Sequence, residues 1–405
     1  MLLTKTHMAA PTPQLNFNDT AIAYQAKSNK DLGRARLLYG VLQNPVISGP
    51  GQALLRWSVK LGLPVKPLIK ATLYKQFIGG ETREECAQLA QDLARYRVQT
   101  VLDYAAEGEE SEEAFQKNLK EFKQNIDLAA EEASIPISVF KPSAISRNID
   151  LITLSQKPAS EWNTLEQAAY EQIAGRFDAI FSRAYQQQVP VMIDAEESWT
   201  QAIVDQLALT MMIRYNVDFP LVMNTYQLYR KDRLSVMQEH HQKATENGVY
   251  WGGKLVRGAY LEKERRAAQQ EDRPSPIHET KEETDMAFDE AVAYAIRHVE
   301  TCGAMIATHN EDSIQKAAQL MDEADIPRNH PHIWFSQLYG MADHLSFNLV
   351  EEGYQVAKYT PYGPVKSVVP YLIRRAEENS AVQGQVRAEL DAVTSELKRR
   401  KNGHN

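Results

Sequence analysis

The chain has 405 residues, 43% of them hydrophobic, and a formal net charge of −8. This length and composition suffice for a large core in one or two domains, exclude a chain that is disordered throughout, and argue against a nucleic-acid binder. The two cysteines, Cys86 and Cys302, lie far apart, so neither a disulfide framework nor a cysteine zinc site is predicted, and a reducing cytosol fits. We find no apolar run near the roughly 18 residues of a membrane span, and the first residues lack a signal-peptide core.

The beginning of the chain is predicted to be a polar arm, residues 1–25, followed by helices. Residues 29–40 are typical of a basic helix, and residues 52–77 of interrupted helices. Thr82 and Glu85 have the spacing of a capping box that opens the next helix.

The segment from Lys27 to Lys75 is strongly basic. It contains nine Lys or Arg and one acid, Asp31. Basic side chains near an anionic membrane contribute about 1 kcal/mol each, which favours a peripheral membrane contact. Helices that simply pack over the rest of the protein explain the same composition, and both interpretations stay open.

After residue 98 the pattern becomes rhythmic, with eight short apolar runs separated by long helical stretches. The predicted helices are 109–132, 164–187, 200–215, 231–247, 280–301 and 311–323. The predicted strands are 100–104, 137–141, 189–194, 221–225, 251–257, 304–308, 333–335 and 355–359. Strands that alternate with helices indicate βαβ units and a parallel sheet.

Eight such units are what a closed (βα)8 barrel requires, and a distorted barrel over residues 99–405 with an N-terminal helical extension over residues 1–98 is the predicted fold. A doubly wound open sheet is the alternative. In a barrel, active residues lie where the strands end. Polar residues do end or follow all eight runs: Asp103, Lys141, Asp194, Gln227, Arg257, His309, Gln337 and Tyr359.

The stretch from Lys358 to Asn379 combines a strand end, a Pro/Gly turn beginning at Pro361, and a helix with Arg374 and Arg375. Adjacent helical residues diverge by about 100°, so the two arginines would flank an anion. Surface ion pairing with Glu377 or Glu378 is the alternative.

Motifs of Rossmann, P-loop, zincin and hydrolase-elbow sites are missing from the sequence. His330 and His332 are interpreted as a loop and not as metal ligands, so no metal is predicted. A group of basic residues at or near the predicted strand ends suits a small carboxylate or an anionic cofactor. These residues are Lys141, Lys254, Arg257, Arg374 and Arg375. Three classes fit them: a flavin or nucleotide redox barrel, a Schiff-base barrel with Lys141 or Lys254 as nucleophile, and a binding protein without chemistry.

Four runs decide among these classes by resemblance: VMIDAEES from Val191, GGKLVRGAYLEKER from Gly252, ATHNEDS from Ala307, and KYTPYGPVKSVVPYLIRRAEENSA from Lys358. In letters and order they resemble proline dehydrogenase. The resemblance implies a barrel that binds FAD noncovalently, oxidises L-proline to 1-pyrroline-5-carboxylate as the first step of proline catabolism to glutamate, and passes electrons to a membrane quinone.

The resemblance also implies two sets of site residues. The substrate side holds Lys141, Asp194, Lys254, Tyr260, Tyr359, Arg374 and Arg375. The cofactor side holds Gln227, Lys254, Arg257, Gly258, Ala259, Thr308, His309, Gln337 and Glu378.

Some positions refine the resemblance. Lys254 stands where many bacterial members of the family have arginine, and Leu261 stands where some have tryptophan. Both positions therefore resemble the eukaryotic-like branch of the family more closely. Tyr359 stands where members that prefer hydroxyproline have a smaller residue, so proline is the expected substrate and hydroxyproline the alternative. We expect a monofunctional enzyme, because the chain ends soon after Ala381, located in the cytoplasm with a peripheral contact at the inner face of the membrane.

Overall fold

The computed structural model describes residues 15–43, 70–105, 110–365, 367–369, 371–372 and 383–403. Its centre is a closed barrel of eight parallel strands in chain order, in which β8 pairs back onto β1. The strands are β1 Gln99–Tyr104, β2 Ile137–Phe140, β3 Val191–Ile193, β4 Val222–Gln227, β5 Trp251–Val256, β6 Cys302–Ala307, β7 Ile333–Leu338 and β8 Val356–Tyr362. The predicted (βα)8 barrel is confirmed, and the open sheet, which would leave two unpaired edges, is wrong.

Helices surround the barrel, precede β1 and follow β8. They are α1 Thr20–Ala23, α2 Asn29–Gln43, α3 Lys75–Phe77, α4 Arg83–Ala94, α5 Glu112–Glu131, α6 Asn148–Ser155, α7 Thr164–Gln187, α8 Ser198–Tyr215, α9 Arg233–Glu246, α10 Leu261–Gln270, α11 Lys281–Arg297, α12 Glu311–Glu323, α13 Asp343–Glu351 and α14 Gln383–Lys401. The six predicted barrel helices are all present. Helices α6, α10, α13 and α14 were not predicted. Helix α1 was not predicted either, and it corrects the predicted polar arm, in which Leu15 and Phe17 are buried.

Three strands end later than predicted, and β4 continues by two residues to Gln227. β7 continues to Leu338, three residues beyond the predicted end at Phe335. β8 continues through Pro361 to Tyr362, so the turn begins later than predicted. Proline lacks only the N–H group, and the carbonyl of Pro361 still accepts a hydrogen bond from Gly79 N at 2.9 Å.

Alternation along the strands separates two cores, because successive side chains of a strand point to opposite faces. The barrel interior is filled by Val101, Ile137, Val139, Met192, Met223, Met305 and Ala357. The outward side chains form a larger core with the helices, which includes Phe140, Trp251 and Phe335. An inward position beyond the apolar layer therefore points into the mouth at the carboxyl ends of the strands.

The helices outside the barrel form a third core in which α2 packs against α14, with Tyr39, Met341 and Val393 buried. Lys27 pairs with Asp343 of α13 at 3.7 Å. The predicted basic helix is confirmed as α2. Most of the predicted helices over residues 52–77 lie outside the described residues, and the division of the chain at residue 98 stays a prediction.

Candidate active site

Five polar side chains meet at the carboxyl ends of the strands. Asp103 lies near the end of β1, Lys141 follows β2, Asp194 follows β3, Lys254 lies in β5 and Tyr359 in β8. Each occupies an inward position past the apolar interior of the barrel. Lys141, Asp194, Lys254 and Tyr359 were predicted as substrate-side residues, and the fold brings all four together.

The four charged groups form a continuous network. Lys141 Nζ lies 2.6 and 2.8 Å from the two carboxylate oxygens of Asp103 and 3.8 Å from Asp194 Oδ2. Lys254 forms an ion pair with Asp194 Oδ1, and its Nζ lies 4.8 Å from the centre of the Tyr359 ring. The Tyr359 hydroxyl donates to Asp194 Oδ2 at 2.6 Å. Asp194 therefore contacts both lysines and the tyrosine.

Burial sets the electrostatics of this network. Lys141 is 7% exposed, Lys254 6% and Asp103 3%. Burial alone would raise the pKa of Asp194, but the ammonium groups of Lys254 and Lys141 outweigh it and hold this pKa below its ordinary value. Burial, followed by the charges of Asp103 and Asp194, raises the pKa of Tyr359 well above its ordinary value. The network thus contains two positive charges, two negative charges and a neutral phenol.

Arg257, from the predicted cofactor side, lies at the outer edge of the rim. Its Nε donates to Asp285 at 2.6 Å, one terminal nitrogen to Thr308 Oγ1 at 2.7 Å and the other to Ser313 Oγ at 2.9 Å. The guanidinium also lies 4.3 Å from the centre of the Phe288 ring. Arg257 and Thr308, both predicted, are therefore in direct contact.

The turn after β5 is fixed by Gln227 at the end of β4. The Gln227 side chain accepts from Ala259 N at 3.4 Å and donates to the Glu196 carbonyl at 2.7 Å. Gly258 has φ +133°, and a Cβ there would lie 2.5 Å from ring atoms of Tyr229. Only glycine fits this backbone and this contact. The predicted cofactor residues Gln227, Gly258 and Ala259 thus form one unit.

The remaining predicted cofactor residues lie around β6 and β7. His309 Nε2 accepts from Leu338 N at 3.0 Å. Gln337 donates to the Thr308 carbonyl at 3.2 Å and accepts from Ser346 of α13 at 2.7 Å. Gln337 lies two residues after Phe335 in β7, so its side chain points to the same side, towards the surrounding helices. Its role in cofactor binding stays a prediction.

Tyr260 directly precedes α10 and is half-buried at the rim. The predicted Arg374, Arg375 and Glu378 lie outside the described residues, so their roles stay predictions.

Three polar residues of the site, Asp103, Ser143 and Glu196, were missing from the predicted sets. Asp103, the partner of Lys141, had been assigned no role beyond its place at a strand end. Glu196 accepts hydrogen bonds from Ser143 Oγ at 2.5 Å and Ser143 N at 3.0 Å. The run MIDAEE contains Glu196 two residues after Asp194, but no sequence spacing indicates a partner 53 residues away.

The residues at this rim fit a flavin. The amide of Gln227 and the hydroxyl of Thr308 can both donate and accept, as the polar edge of a flavin ring requires. Arg257 and Lys254 supply positive charge, which an anionic dinucleotide requires. Donors, acceptors and cations of the right kinds therefore lie together at one end of the barrel.

Comparison with known proteins agrees with this arrangement. A family model described as Proline dehydrogenase matches residues 86–388 of this chain. The chain belongs to the proline dehydrogenase family. As a member of it, the chain is an oxidoreductase, and the resemblance found in the sequence is confirmed.

Three relatives illustrate the range of this family. The Carbapenem antibiotics biosynthesis protein CarD of Pectobacterium carotovorum subsp. carotovorum is 36% identical, covering 80% of this chain and 83% of that protein. Proline dehydrogenase 1, mitochondrial, of Dictyostelium discoideum is 32% identical, covering 94% and 74%. Hydroxyproline dehydrogenase of Bos taurus is 30% identical, covering 93% and 92%.

Among solved structures, proline utilization A (PutA) from Bdellovibrio bacteriovorus superposes with a TM-score of 0.72 at 19% identity. The match covers 93% of this chain and 40% of that one, so this chain spans about two fifths of the larger protein. At this identity the likeness supports the barrel fold alone.

The depressed pKa of Asp194 predicts how stability depends on pH. The stabilisation from its ionised form is present above the unfolded pKa, about 3.9, and is lost as pH falls through the lower folded pKa. We expect Asp194→Asn to lower the free energy of unfolding by about 3 to 5 kcal/mol at pH 7, because two buried ammonium groups lose a partner, and by less at pH 3. Denaturant unfolding from pH 3 to 8 measures both values.

The control is Glu239→Gln, which breaks an exposed ion pair with Lys243 and should cost at most about 1 kcal/mol at any pH. Equal losses for Asp194→Asn at pH 3 and pH 7 would show that the carboxylate charge does not stabilise the fold.

Proposed function

We propose that this protein oxidises L-proline to 1-pyrroline-5-carboxylate with bound FAD and passes the electrons to a quinone, as the first step of proline catabolism to glutamate. The observation that carries the proposal is the buried, charge-balanced network of Asp103, Lys141, Asp194 and Lys254. Membership of the proline dehydrogenase family supports the substrate class.

The charge balance favours a zwitterionic substrate. Proline carries one carboxylate and one ammonium, so each of its charges can meet a charge of opposite sign in the network. Its carboxylate can lie beside Lys141, which keeps Asp103 as a partner, and its amine can approach Asp194. A simple monoanion would instead add an uncompensated negative charge, unless the predicted Arg374 and Arg375 contribute.

Oxidation then depends on orientation. FAD, held by Gln227, Arg257, Thr308 and the turn at Gly258, supplies the hydride acceptor when it is bound. Lys141 and Asp194 fix the two polar ends of proline, which restricts where its Cδ can lie. Tyr359, whose hydroxyl is held by Asp194, packs beside this position and excludes water.

The network argues against the Schiff-base alternative. A lysine nucleophile must be neutral to attack a carbonyl. Both candidate lysines pair with buried carboxylates, which favour the charged ammonium. The same pairs suit a site that holds a charged substrate.

For the electron acceptor, we propose a membrane quinone reached from the cytoplasmic face. Within the described ranges, no helix is both long and apolar enough to cross a membrane. We propose that the contact with the membrane is peripheral. About half of the basic segment proposed for this contact, residues 44–69, lies outside the described residues. In the described part, Lys27 pairs with Asp343.

The proposal is tested by the visible spectrum. We expect the purified protein to be yellow with releasable FAD, to be bleached by proline without oxygen, and to recover its colour when a short-chain quinone is added. Colourless protein that cannot be reconstituted with FAD contradicts the proposal. Borohydride trapping of a substrate on Lys141 or Lys254 would favour the Schiff-base reaction instead.

We call Lys141, Arg374 and Arg375, the cations proposed to hold the substrate carboxylate, the carboxylate clamp, and it predicts the effect of losing one cation. Charge-assisted hydrogen bonds are worth about 1.5 to 3 kcal/mol, so Lys141→Met and Arg375→Met should each lower kcat/KM for proline about 10- to 100-fold. Tetrahydrofuran-2-carboxylate, which lacks the amine, should lose affinity in the same variants, and the double variant should lose less than the sum.

The matched control for the clamp is Lys243→Met, an exposed lysine of α9 that should retain parental kinetics. Parental kcat/KM and inhibitor affinity in Arg375→Met, at unchanged thermal stability, would show that Arg375 forms part of a surface and not of the clamp.

Tyr359 predicts substrate preference. Its ring is held between Asp194 and Lys254, so it should crowd a hydroxyl group on the substrate ring. We expect a higher kcat/KM for proline than for 4-hydroxyproline, and a smaller difference in Tyr359→Ser. Tyr359→Phe, which keeps the volume of the ring and loses only the hydroxyl, should narrow the difference less than Tyr359→Ser does. Equal parental turnover of both substrates would favour the hydroxyproline alternative.

A further inference from the structure

The turn after β3 is tied to three neighbours of the site. We call residues Asp194–Ser198 the β3 turn. Asp194 belongs to the substrate network, and its backbone N–H donates to Phe140 O of β2 at 2.9 Å. Ser198 donates to Glu264 of α10 from both its N–H and its hydroxyl, each at 2.6 Å. Between them, Glu196 reaches towards β2.

Glu196 binds one residue with both carboxylate oxygens. Its Oε1 accepts from Ser143 Oγ at 2.5 Å and its Oε2 from Ser143 N at 3.0 Å. Two hydrogen bonds to a single residue fix both the distance and the orientation of the two segments. The carbonyl of Glu196 is itself held by Gln227 at 2.7 Å, so this attachment is anchored to β4.

Ser143 lies in the short turn Pro142–Ala144 that directly follows Lys141. This turn is closed by Ala144 N donating to Lys141 O at 3.1 Å and by Ser146 Oγ donating to Pro142 O at 2.7 Å. A shift of Ser143 would therefore move the backbone of Lys141. Through Ser143, Glu196 sets the position of Lys141 relative to Asp194.

The charged groups around Glu196 belong to the substrate network or lie next to it. Lys141 lies on the β2 side, Asp194 and Glu197 on the same turn, and Lys263 of α10 pairs with Glu197. Burial raises the pKa of Glu196 to about 7, against the hydrogen bonds from Ser143, with Glu197 adding to the rise and Lys141 opposing it. Its charge can therefore change near neutral pH.

We propose that Glu196 is a positioning residue for proline oxidation, which holds the Lys141 turn and the Asp194 turn at the separation that one amino-acid substrate spans. The proposal rests on the proposed function, because it assigns Lys141 to the substrate carboxylate. It adds to that function a residue that need not touch the substrate.

The two protonation states of Glu196 predict how its variants differ. The ionised carboxylate accepts both bonds from Ser143, and the protonated acid can accept from the N–H and donate to the hydroxyl. The amide of Glu196→Gln can do the same, so this variant should keep the attachment and lose only the charge. Glu196→Ala should lose both.

Steady-state kinetics and inhibitor binding test the proposal in FAD-loaded protein. We expect Glu196→Ala to raise KM for proline at least 10-fold with kcat within threefold, and Glu196→Gln to keep KM within threefold at pH 6.5. Ser143→Ala should raise KM less than Glu196→Ala does, and the double variant should resemble Glu196→Ala alone. Glu262→Gln, an exposed acid of α10, is the control.

A pH series tests whether the charge of Glu196 acts on an anion bound in the substrate site. Tetrahydrofuran-2-carboxylate stays ionised from pH 6 to 8.5, so changes in its Kd report on the protein. As Glu196 ionises, its charge should repel this anion, and the parental Kd should rise about three- to tenfold across the range while that of Glu196→Gln stays flatter.

The outcomes are distinct. A parent that oxidises proline, together with unchanged KM in Glu196→Ala, overturns this inference alone. If Glu196→Ala does not fold, an unchanged KM in Ser143→Ala overturns it as well. A parent that does not oxidise proline overturns the proposed function, and this inference with it.

Discussion

The active end of this barrel depends on mutual neutralisation of four buried charges. A single ammonium or carboxylate in this position would cost several kcal/mol of desolvation, and only a close partner of opposite sign offsets it. Alternation along β1 and β5, and the ends of β2 and β3, place two groups of each sign within ion-pair distance. Such a network is rarely the most stable way to fill a core, and the proposed binding of a zwitterionic substrate gives a reason for its presence.

The same constraint holds the outer helices in place. Lys358 is 1% exposed on the outer face of β8, where it donates to Met341 O at 2.5 Å and pairs with Asp343 at 2.8 Å. Asp343 also pairs with Lys27, and the neighbouring Ala342 N donates to Glu389 of α14 at 2.5 Å. The segments before and after the barrel therefore meet at the turn that follows β7, behind Tyr359.

The sequence was sufficient for the fold because eight apolar runs separated by amphipathic helices have few other solutions. It was sufficient for the position of the site because parallel strands present their carboxyl ends at one rim. The sequence could not show which side chains pair with each other in the site. Asp103 and Lys141 are 38 residues apart, and nothing in their spacing indicates that they touch. The direction of the Gln337 side chain was not predicted either, because the predicted strand ended at Phe335 and left Gln337 in a loop. In the longer strand of the structure, alternation of side chains turns Gln337 towards α13.

In the proposed reaction Asp194 would link substrate binding to substrate selectivity, because one carboxylate contacts three neighbours. Lys254 occupies Oδ1, while the Tyr359 hydroxyl occupies Oδ2 at 2.6 Å, with Lys141 at 3.8 Å from the same oxygen. Removing the phenol would create space and also free an acceptor on Oδ2. A substrate hydroxyl is a donor of the same kind as the phenol that it would replace. A smaller residue at position 359 therefore favours a hydroxylated ring for two reasons, volume and hydrogen bonding, and the second exists only because Asp194 is already held in place by the lysines.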